Sequence, residues 1–229
     1  MTTFVLHIST ASVRKALIEK MLTQLPPYEV ERAEGMGWAE RRSEFITGRS
    51  LLRYGFQQFA PQGHEWRLEI NEHGRPALAG GQFENLRFNI AHTDGLVCCA
   101  FSTQVQLGLD VERASRVATI DRVKAKVFSM QELLSLEALT GTARDERLLD
   151  IWTGKEAVTK ALGIGLGYDF RKLTMDFAQD ELRIANEPLL SQWRFERKKI
   201  DPDYRAVLAS DGDVSANWCG VTFEELAGV

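Results

Sequence analysis

LGLDVE, residues 107–112, places two acidic side chains two positions apart in a segment with the apolar character of a buried strand. Because successive side chains of a strand point to opposite faces, Asp110 and Glu112 are predicted to share one face, and Leu109 and Val111 the other. Neighbouring carboxylates repel each other, and burial raises the pKa of one of them strongly. A divalent cation would relieve that repulsion, whereas an edge strand would simply turn the acids toward water. This stretch alone leaves both interpretations open.

The segments on either side of this stretch alternate between helical and strand patterns. An amphipathic helix is predicted over about residues 38–59, after a loop with Pro26 and Pro27, and a second helical block over about residues 119–162 with a break near Thr140 and Gly141. Strands are predicted at FVLHIS, WRLEI, LRFNI, LVCCAF and LGLDVE, and later at KLTMDF, WRFERKKI, YRAVLAS and CGVTF. Helix followed by strands, twice over, predicts an α+β fold with two similar halves.

A short repeat supports this division. FITGRSLLR (residues 45–53) and IWTGKEAVT (residues 151–159) both place Thr-Gly and a basic residue after an apolar pair, and both continue as amphipathic helix. The repeat predicts an N-terminal half over residues 1–105 and a C-terminal half over residues 106–229. A ligand cleft is expected between the halves.

Composition limits the function classes. The chain has 229 residues and a net charge of −4, which argues against generic nucleic-acid binding because that requires a basic footprint. No stretch approaches the roughly 20 apolar residues that span a bilayer, and MTTFVLHIST lacks the pattern of a secretory signal. The three cysteines fit reduced thiols. We therefore expect a cytoplasmic protein with no nucleic-acid or membrane partner.

One local charge run stands out against the acidic total. Residues 113–126 contain a single acid, Asp121. The basic residues of this run are Arg113, Arg116, Arg122, Lys124 and Lys126. An acidic protein could dock there, or the run could be a solvated face of a loop and helix, and the pattern favours neither.

The second helical block carries a compact charged cluster. In WTGKEAVTK, Glu156 and Lys160 are four residues apart and share one helix face. Such spacing most often gives a surface ion pair worth about 0.3–0.5 kcal/mol. The apolar flanks Ile151, Trp152 and Val158 predict that another face is buried, so that the charged cluster faces a defined cleft.

Together these segments resemble a known family. HGRPAL (residues 73–78), FNIAHTDG (88–95), LGLDVE, VFSMQE (127–132) and WTGKEAVTKALGIGL (152–166) are similar, in this order, to the 4′-phosphopantetheinyl transferases of the surfactin-synthetase-activating type, which include holo-acyl-carrier-protein synthases. The likeness covers roughly residues 40–180, and its specific part is the GxDxE and WxxKExxxK pair. Two positions depart from the family pattern, Glu44 where many relatives have Arg and Ala91 where the family often has Ser.

The resemblance implies a fold and a reaction. The fold would be two pseudo-symmetric ferredoxin-like α+β halves in one chain, with coenzyme A between them. The reaction would be transfer of the 4′-phosphopantetheine arm of coenzyme A to a serine of an apo acyl or peptidyl carrier protein, releasing adenosine 3′,5′-bisphosphate. Mg²⁺ would be the cofactor, with Mn²⁺ able to replace it, and a monomer would suffice.

The resemblance also implies residue roles. The metal ligands would be Asp110, Glu112 and Glu156, with Glu156 also taking the serine proton. Lys160 would reach the phosphate under attack, with Lys155 beside it. Arg75 and His92 would contact coenzyme A phosphates. The helix with Arg41, Arg42, Arg49 and Arg53 would face the adenosine end, and any of these arginines could bind the 3′-phosphate. Separately from the resemblance, the charge of the basic run leads to the hypothesis that an acidic carrier docks there, through Arg113, Arg116, Arg122, Lys124 and Lys126.

Two alternatives stay open beside this interpretation. One is another magnesium-dependent enzyme that cleaves the pyrophosphate of coenzyme A without a protein acceptor. The other is a carrier-binding module that has lost catalysis. The complete set of Asp110, Glu112, Glu156 and Lys160 argues against the second alternative.

Overall fold

The computed structural model describes residues 3–11, 13–59, 65–70, 76–81, 83–164, 168–213 and 215–228. Two β-sheets pack face to face, and helices cover the outer face of each sheet. The layers therefore run helix, sheet, sheet, helix. Among the described residues, no helix is both long enough and apolar enough to cross a membrane.

The first sheet and its helices come mainly from the first part of the chain. The elements are β1 (Phe4–Ser9), α1 (Lys15–Thr23), α2 (Pro27–Glu34), α3 (Ala39–Phe56), β2 (Leu68–Ile70), β3 (Pro76–Leu78), β4 (Arg87–Thr93) and β5 (Leu96–Ser102). The second part contributes β6 (Leu107–Arg113), α4 (Val117–Val127), α5 (Met130–Glu137), α6 (Gly141–Leu162), β7 (Met175–Ala178), β8 (Glu181–Ile184), β9 (Arg194–Ile200) and β10 (Tyr204–Ser210). The last elements are β11 (Asn217–Gly220) and α7 (Phe223–Ala227).

The two halves repeat one topology. In the first sheet the strand order is β11-β1-β5-β4, and in the second it is β6-β10-β9. In each half the first strand pairs antiparallel with the last strand of the repeat, which pairs antiparallel with the strand before it. A long helix, α3 or α6, and a small two-stranded sheet lie between the first strand and the other two. This confirms the predicted α+β fold with two pseudo-symmetric halves.

Three apolar clusters hold the layers together. One lies between the sheets and includes Leu109, Val111 and Leu208 from the second sheet and Cys98 and Ala100 from the first. The other two join each sheet to its outer helices. The strand side chains alternate between these clusters, as the period of two requires.

Helix α6 lies unusually close to strand β6 because of Gly108. A Cβ atom at this position would overlap the carbonyl oxygen of Ala157 in α6. Glycine is thus needed here for close packing of backbone on backbone. The glycine of LGLDVE brings the acids of β6 within reach of the charged face of α6.

Several elements differ from the sequence prediction. Helices α1, α2 and α7 were not predicted, and Pro27 begins α2 rather than lying in a loop, since proline is well suited to the first turn of a helix. The second helical block is also interrupted at Ser129, whose side chain forms a capping box with Glu132 and starts α5.

The end of the chain corrects the predicted division into halves. The strand predicted at CGVTF (residues 219–223) is observed two residues earlier, as β11 (Asn217–Gly220). Helix α7 begins at Phe223, the last residue of the predicted strand. β11 pairs parallel with β1, so residues 217–220 belong to the first sheet and not to the C-terminal half. The helix predicted to reach residue 59 ends at Phe56.

Candidate active site

The site lies where the edge strands β4 and β6 of the two sheets meet. The amide of Leu109 donates a hydrogen bond to the side-chain oxygen of Asn89 in β4 (3.1 Å), which joins the two edges. Leu109 and Val111 point into the core between the sheets. Asp110 and Glu112 contact side chains of α6 on the other face. The alternation predicted for LGLDVE is therefore confirmed.

Asp110 is the more deeply buried of the two strand acids. Its Oδ1 accepts a hydrogen bond from the Nζ of Lys160 (2.6 Å). Its Oδ2 is buried and has no hydrogen-bond partner among the described residues. Burial raises the pKa of Asp110, and the ammonium of Lys160 only partly opposes this. A buried carboxylate oxygen without a donor is costly unless a cation reaches it.

Glu112 is held from both halves of the protein. The indole Nε1 of Trp152 in α6 donates to its Oε1 (3.0 Å), and the hydroxyl of Thr93 in β4 donates to its Oε2 (3.4 Å). The guanidinium of Arg116 lies 3.4 Å from the same Oε2. Burial and then repulsion from Asp110 raise the pKa of Glu112. Its side chain is thus fixed in place despite an unfavourable electrostatic setting.

Glu156 completes a cluster of three acids. Its pKa is raised to about 7, mainly by burial and in addition by the charges of Asp110 and Glu112, while the charge of Lys160 opposes the shift. The mutual effects show that the helix acid and the strand acids share one electrostatic environment. Neighbouring carboxylates with raised pKa values are typical of functional sites.

The donor set fits a hard divalent cation. Carboxylate oxygens are the ligands that Mg²⁺ prefers, and the unsatisfied Oδ2 of Asp110 and the repulsion among the acids are what such an ion would relieve. Among the described residues, however, no three histidine, cysteine, aspartate or glutamate side chains are arranged to hold a metal as they stand. The ammonium of Lys160 instead neutralises Asp110. An ion therefore requires rearrangement of these side chains.

Lys155 does not lie at this site, contrary to the prediction. Its Nζ donates to Oε2 of Glu132 (2.6 Å) and to the backbone oxygens of Val127 (3.0 Å) and Phe170 (2.8 Å). All three ammonium donors are thereby used, and the side chain is 2% exposed. Lys155 therefore anchors α6 to its surroundings and has no donor left for a phosphate.

The first half contains a matching buried ion pair. The Nε of Arg49, the basic residue of the first Thr-Gly repeat, lies 3.3 Å from Oε1 of Glu29 in α2. Sequence reasoning missed both Glu29 and Glu132 as partners. One sequence signal pointed to them. Each repeat places a basic residue directly after Thr-Gly, and a basic residue at the same position of two buried helices indicates that each needs an acidic partner.

A cavity of about 530 Å³ opens between α3 and β4. Arg41, Arg49 and His92 are among the residues that line it, so two of the residues predicted to contact coenzyme A come together here. The Nη1 of Arg49 is buried and has no hydrogen-bond partner among the described residues. This leaves a guanidinium donor for an anion, and Arg41 lines the cavity from the same arginine-bearing helix.

The other two predicted coenzyme A contacts have different outcomes. Arg42 does not line this cavity, because its guanidinium pairs with Glu19 of α1 (3.0 Å). The structure therefore does not bring Arg42 together with Arg49 and His92 at this cavity, and its contact with coenzyme A stays a prediction. Arg75 lies outside the described residues, although its neighbour Pro76 lines the cavity.

The basic run is less positive in the fold than in the sequence. Arg113 pairs with Asp94 (2.9 Å) and Asp203 (3.4 Å), and Arg116 pairs with Glu112. Lys124 pairs with Asp121 (3.0 Å). Asp94 and Asp203, from distant parts of the chain, thus neutralise Arg113, which the local sequence did not reveal, whereas Arg116 and Lys124 pair with acids next to or within the run.

Comparison with known proteins identifies the family. The profile of the 4′-phosphopantetheinyl transferase superfamily matches residues 106–209, which contain β6, α6 and the acid cluster. The 4′-phosphopantetheinyl transferase Sfp of Bacillus subtilis is 24% identical over 91% of this chain and 92% of its own length. The chain belongs to the 4′-phosphopantetheinyl transferase superfamily.

Other members of the superfamily show the extent of the likeness. The 4′-phosphopantetheinyl transferase HetI of Nostoc sp. is 27% identical over 65% of this chain, which spans 64% of that relative's length. A holo-[acyl-carrier-protein] synthase structure from Neisseria meningitidis aligns with 46% of this chain and 96% of its own, with 17% identity and a TM-score of 0.39.

Proposed function

We propose that this protein transfers the 4′-phosphopantetheine arm of coenzyme A to a serine hydroxyl of an apo acyl or peptidyl carrier protein. The observation that supports this most strongly is the cluster of Asp110, Glu112, Glu156 and Lys160 at the meeting edges of the two sheets. In the reaction, the serine oxygen bonds to the phosphorus that carries the pantetheine arm. The pyrophosphate bond breaks, and adenosine 3′,5′-bisphosphate leaves.

The acids are proposed to hold Mg²⁺, with Mn²⁺ able to replace it, through Asp110, Glu112 and Glu156. When bound, the ion would neutralise negative charge on the pyrophosphate oxygens. Lys160 then exchanges its carboxylate partner for the phosphate under attack, where a fixed cation stabilises developing negative charge. Glu156 is also proposed to take the serine proton, directly or through a water molecule.

The cavity beside the acid cluster is the proposed site for the nucleotide end of coenzyme A. Its guanidinium groups and His92 offer hydrogen-bond donors to phosphate oxygens. Arg49 supports this role because one buried donor has no protein partner among the described residues. Arg75 stays a proposed phosphate contact on the strength of its motif.

The carrier is proposed to dock on the basic run at residues 113–126, which directly follows the acid strand β6. Arg113, Arg116 and Lys124 each form an ion pair within the protein. Among the described residues, Arg122 and Lys126 form no such pair, so their charges are available to an acidic carrier. Acidic carriers would be steered there, so that affinity falls as salt rises. We propose that a cytoplasmic monomer carries out the reaction.

The transfer can be tested with the purified protein, coenzyme A, Mg²⁺ and a panel of apo carriers from fatty acid, polyketide and peptide synthesis. Mass spectrometry should show one phosphopantetheine added to at least one carrier, and a carrier with its serine replaced by alanine is the matched control. Asp110→Ala should abolish the addition while circular dichroism shows a retained fold. No addition to any carrier would contradict the proposal.

The alternative functions are not favoured by the comparisons. The same experiment separates them from transfer. Release of adenosine 3′,5′-bisphosphate without any acceptor would indicate a hydrolase, and carrier binding without chemistry or metal dependence would indicate a binding module.

A further inference from the structure

Trp152 makes a directed contact with one of the acids of the site. Its indole Nε1 lies 3.0 Å from Oε1 of Glu112 and donates a hydrogen bond to it. The indole ring is half-buried and lies against the ring of Phe170, with centroids 6.3 Å apart. The indole is thus held by packing while its single polar atom faces the carboxylate.

Glu112 needs a hydrogen-bond donor because the nearby carboxylates of Asp110 and Glu156 repel its negative charge. Asp110 and Glu112 project from the same face of β6 toward α6, and carboxylates this close together repel each other. A flexible glutamate in this field would turn toward solvent unless a donor holds it. A hydrogen bond to an ionised carboxylate is stronger than one between neutral groups.

The hydrogen bond from Trp152 also distinguishes the two carboxylate oxygens of Glu112. Trp152 occupies Oε1 at 3.0 Å, while Oε2 faces the hydroxyl of Thr93 and the guanidinium of Arg116, each at the longer distance of 3.4 Å. A group that binds one oxygen of a ligating carboxylate and leaves the other for an ion orients the ligand. Loss of such a partner typically weakens metal binding by about 10- to 100-fold.

We propose that Trp152 is a positioning residue, which orients Glu112 for a divalent cation through the indole N–H. This inference rests on the proposed magnesium site and adds a residue from outside the ligand set. The indole makes no contact with the reacting groups in this proposal and acts through Glu112 alone.

The test compares two Trp→Phe substitutions. Trp152→Phe keeps an aromatic ring against Phe170 but removes the N–H donor. Trp193→Phe is the matched control, because Trp193 is buried in the same apolar cluster that Trp152 packs against. Mg²⁺ affinity is measured by calorimetry on the folded protein without coenzyme A, and thermal unfolding checks that each variant is folded.

We expect W152F to weaken Mg²⁺ binding by about tenfold, and W193F to leave it unchanged. In the transfer assay, W152F should need about tenfold more Mg²⁺ for half its maximal rate, and saturating Mg²⁺ should restore most of that rate. A merely structural role would not produce this recovery with metal.

Three outcomes would overturn the inference. Wild-type affinity in W152F would show that the N–H bond does not orient Glu112. Equal losses in W152F and W193F would show a packing effect. If the wild-type protein itself bound no Mg²⁺, the proposed metal site would fail and this inference with it, so the two failures are distinguishable.

Discussion

Replacing Lys160 with methionine should tighten Mg²⁺ binding to the protein without coenzyme A, although it should abolish transfer. The ammonium of Lys160 lies 2.6 Å from Oδ1 of Asp110, so an incoming dication must displace it. Two unit charges at this distance attract each other by about 6 kcal/mol at an effective dielectric constant of about 20. Lys160 is 31% exposed, so hydration of the released ammonium offsets much of this attraction.

We therefore expect K160M to make the free energy of Mg²⁺ binding more favourable by about 1.5 kcal/mol, the low end of measured coupling energies for close charge pairs. This corresponds to roughly tenfold tighter binding. Calorimetry with Mg²⁺, or electron paramagnetic resonance with Mn²⁺, measures the affinity directly. Lys20→Met is the control for net charge, because Lys20 lies in α1 of the other half. Unchanged or weaker affinity in K160M would refute the view that the ammonium competes with the ion.

Three further predictions concern the same region. In metal-free protein, Glu156 with a pKa of about 7 keeps a proton that the unfolded chain loses near 4.5, so stability should fall as pH rises between these values, and Glu156→Gln should flatten that slope in denaturant titrations. Gly108→Ala should cost about 1–3 kcal/mol of unfolding free energy and reduce transfer, because the methyl group meets the backbone of Ala157; an unchanged melting temperature would contradict the close packing. Lys155→Met should cost about 3–5 kcal/mol of unfolding free energy by leaving Glu132 buried and unpaired, whereas a stable variant with only a raised KM for coenzyme A would favour a phosphate contact.

Local sequence patterns predicted the features that depend on local periodicity. The alternation in LGLDVE placed Asp110 and Glu112 on one face, and the four-residue spacing placed Glu156 and Lys160 on one helix face. The paired Thr-Gly repeats indicated two similar halves, which the sheet topology bears out. These features need no knowledge of distant contacts, because strand and helix periods alone determine them.

Features set by contacts between distant segments could not be predicted in the same way. Lys155 and Lys160 look equivalent in sequence, but the approach of α5 buries one of them against Glu132. Arg42 and Arg49 share one helix, yet α1 supplies Glu19 to the former and α2 supplies Glu29 to the latter. Since neither α1 nor α2 was predicted, neither pairing could be foreseen.

The matching buried ion pairs have an evolutionary consequence. When the Thr-Gly repeats are aligned, Lys155 corresponds to Arg49, Glu156 to Ser50 and Lys160 to Tyr54. Both copies have thus retained the buried cation and its acidic partner, while the acid and lysine next to it are present in only one copy. An ancestral duplication followed by specialisation of one copy would produce this asymmetry.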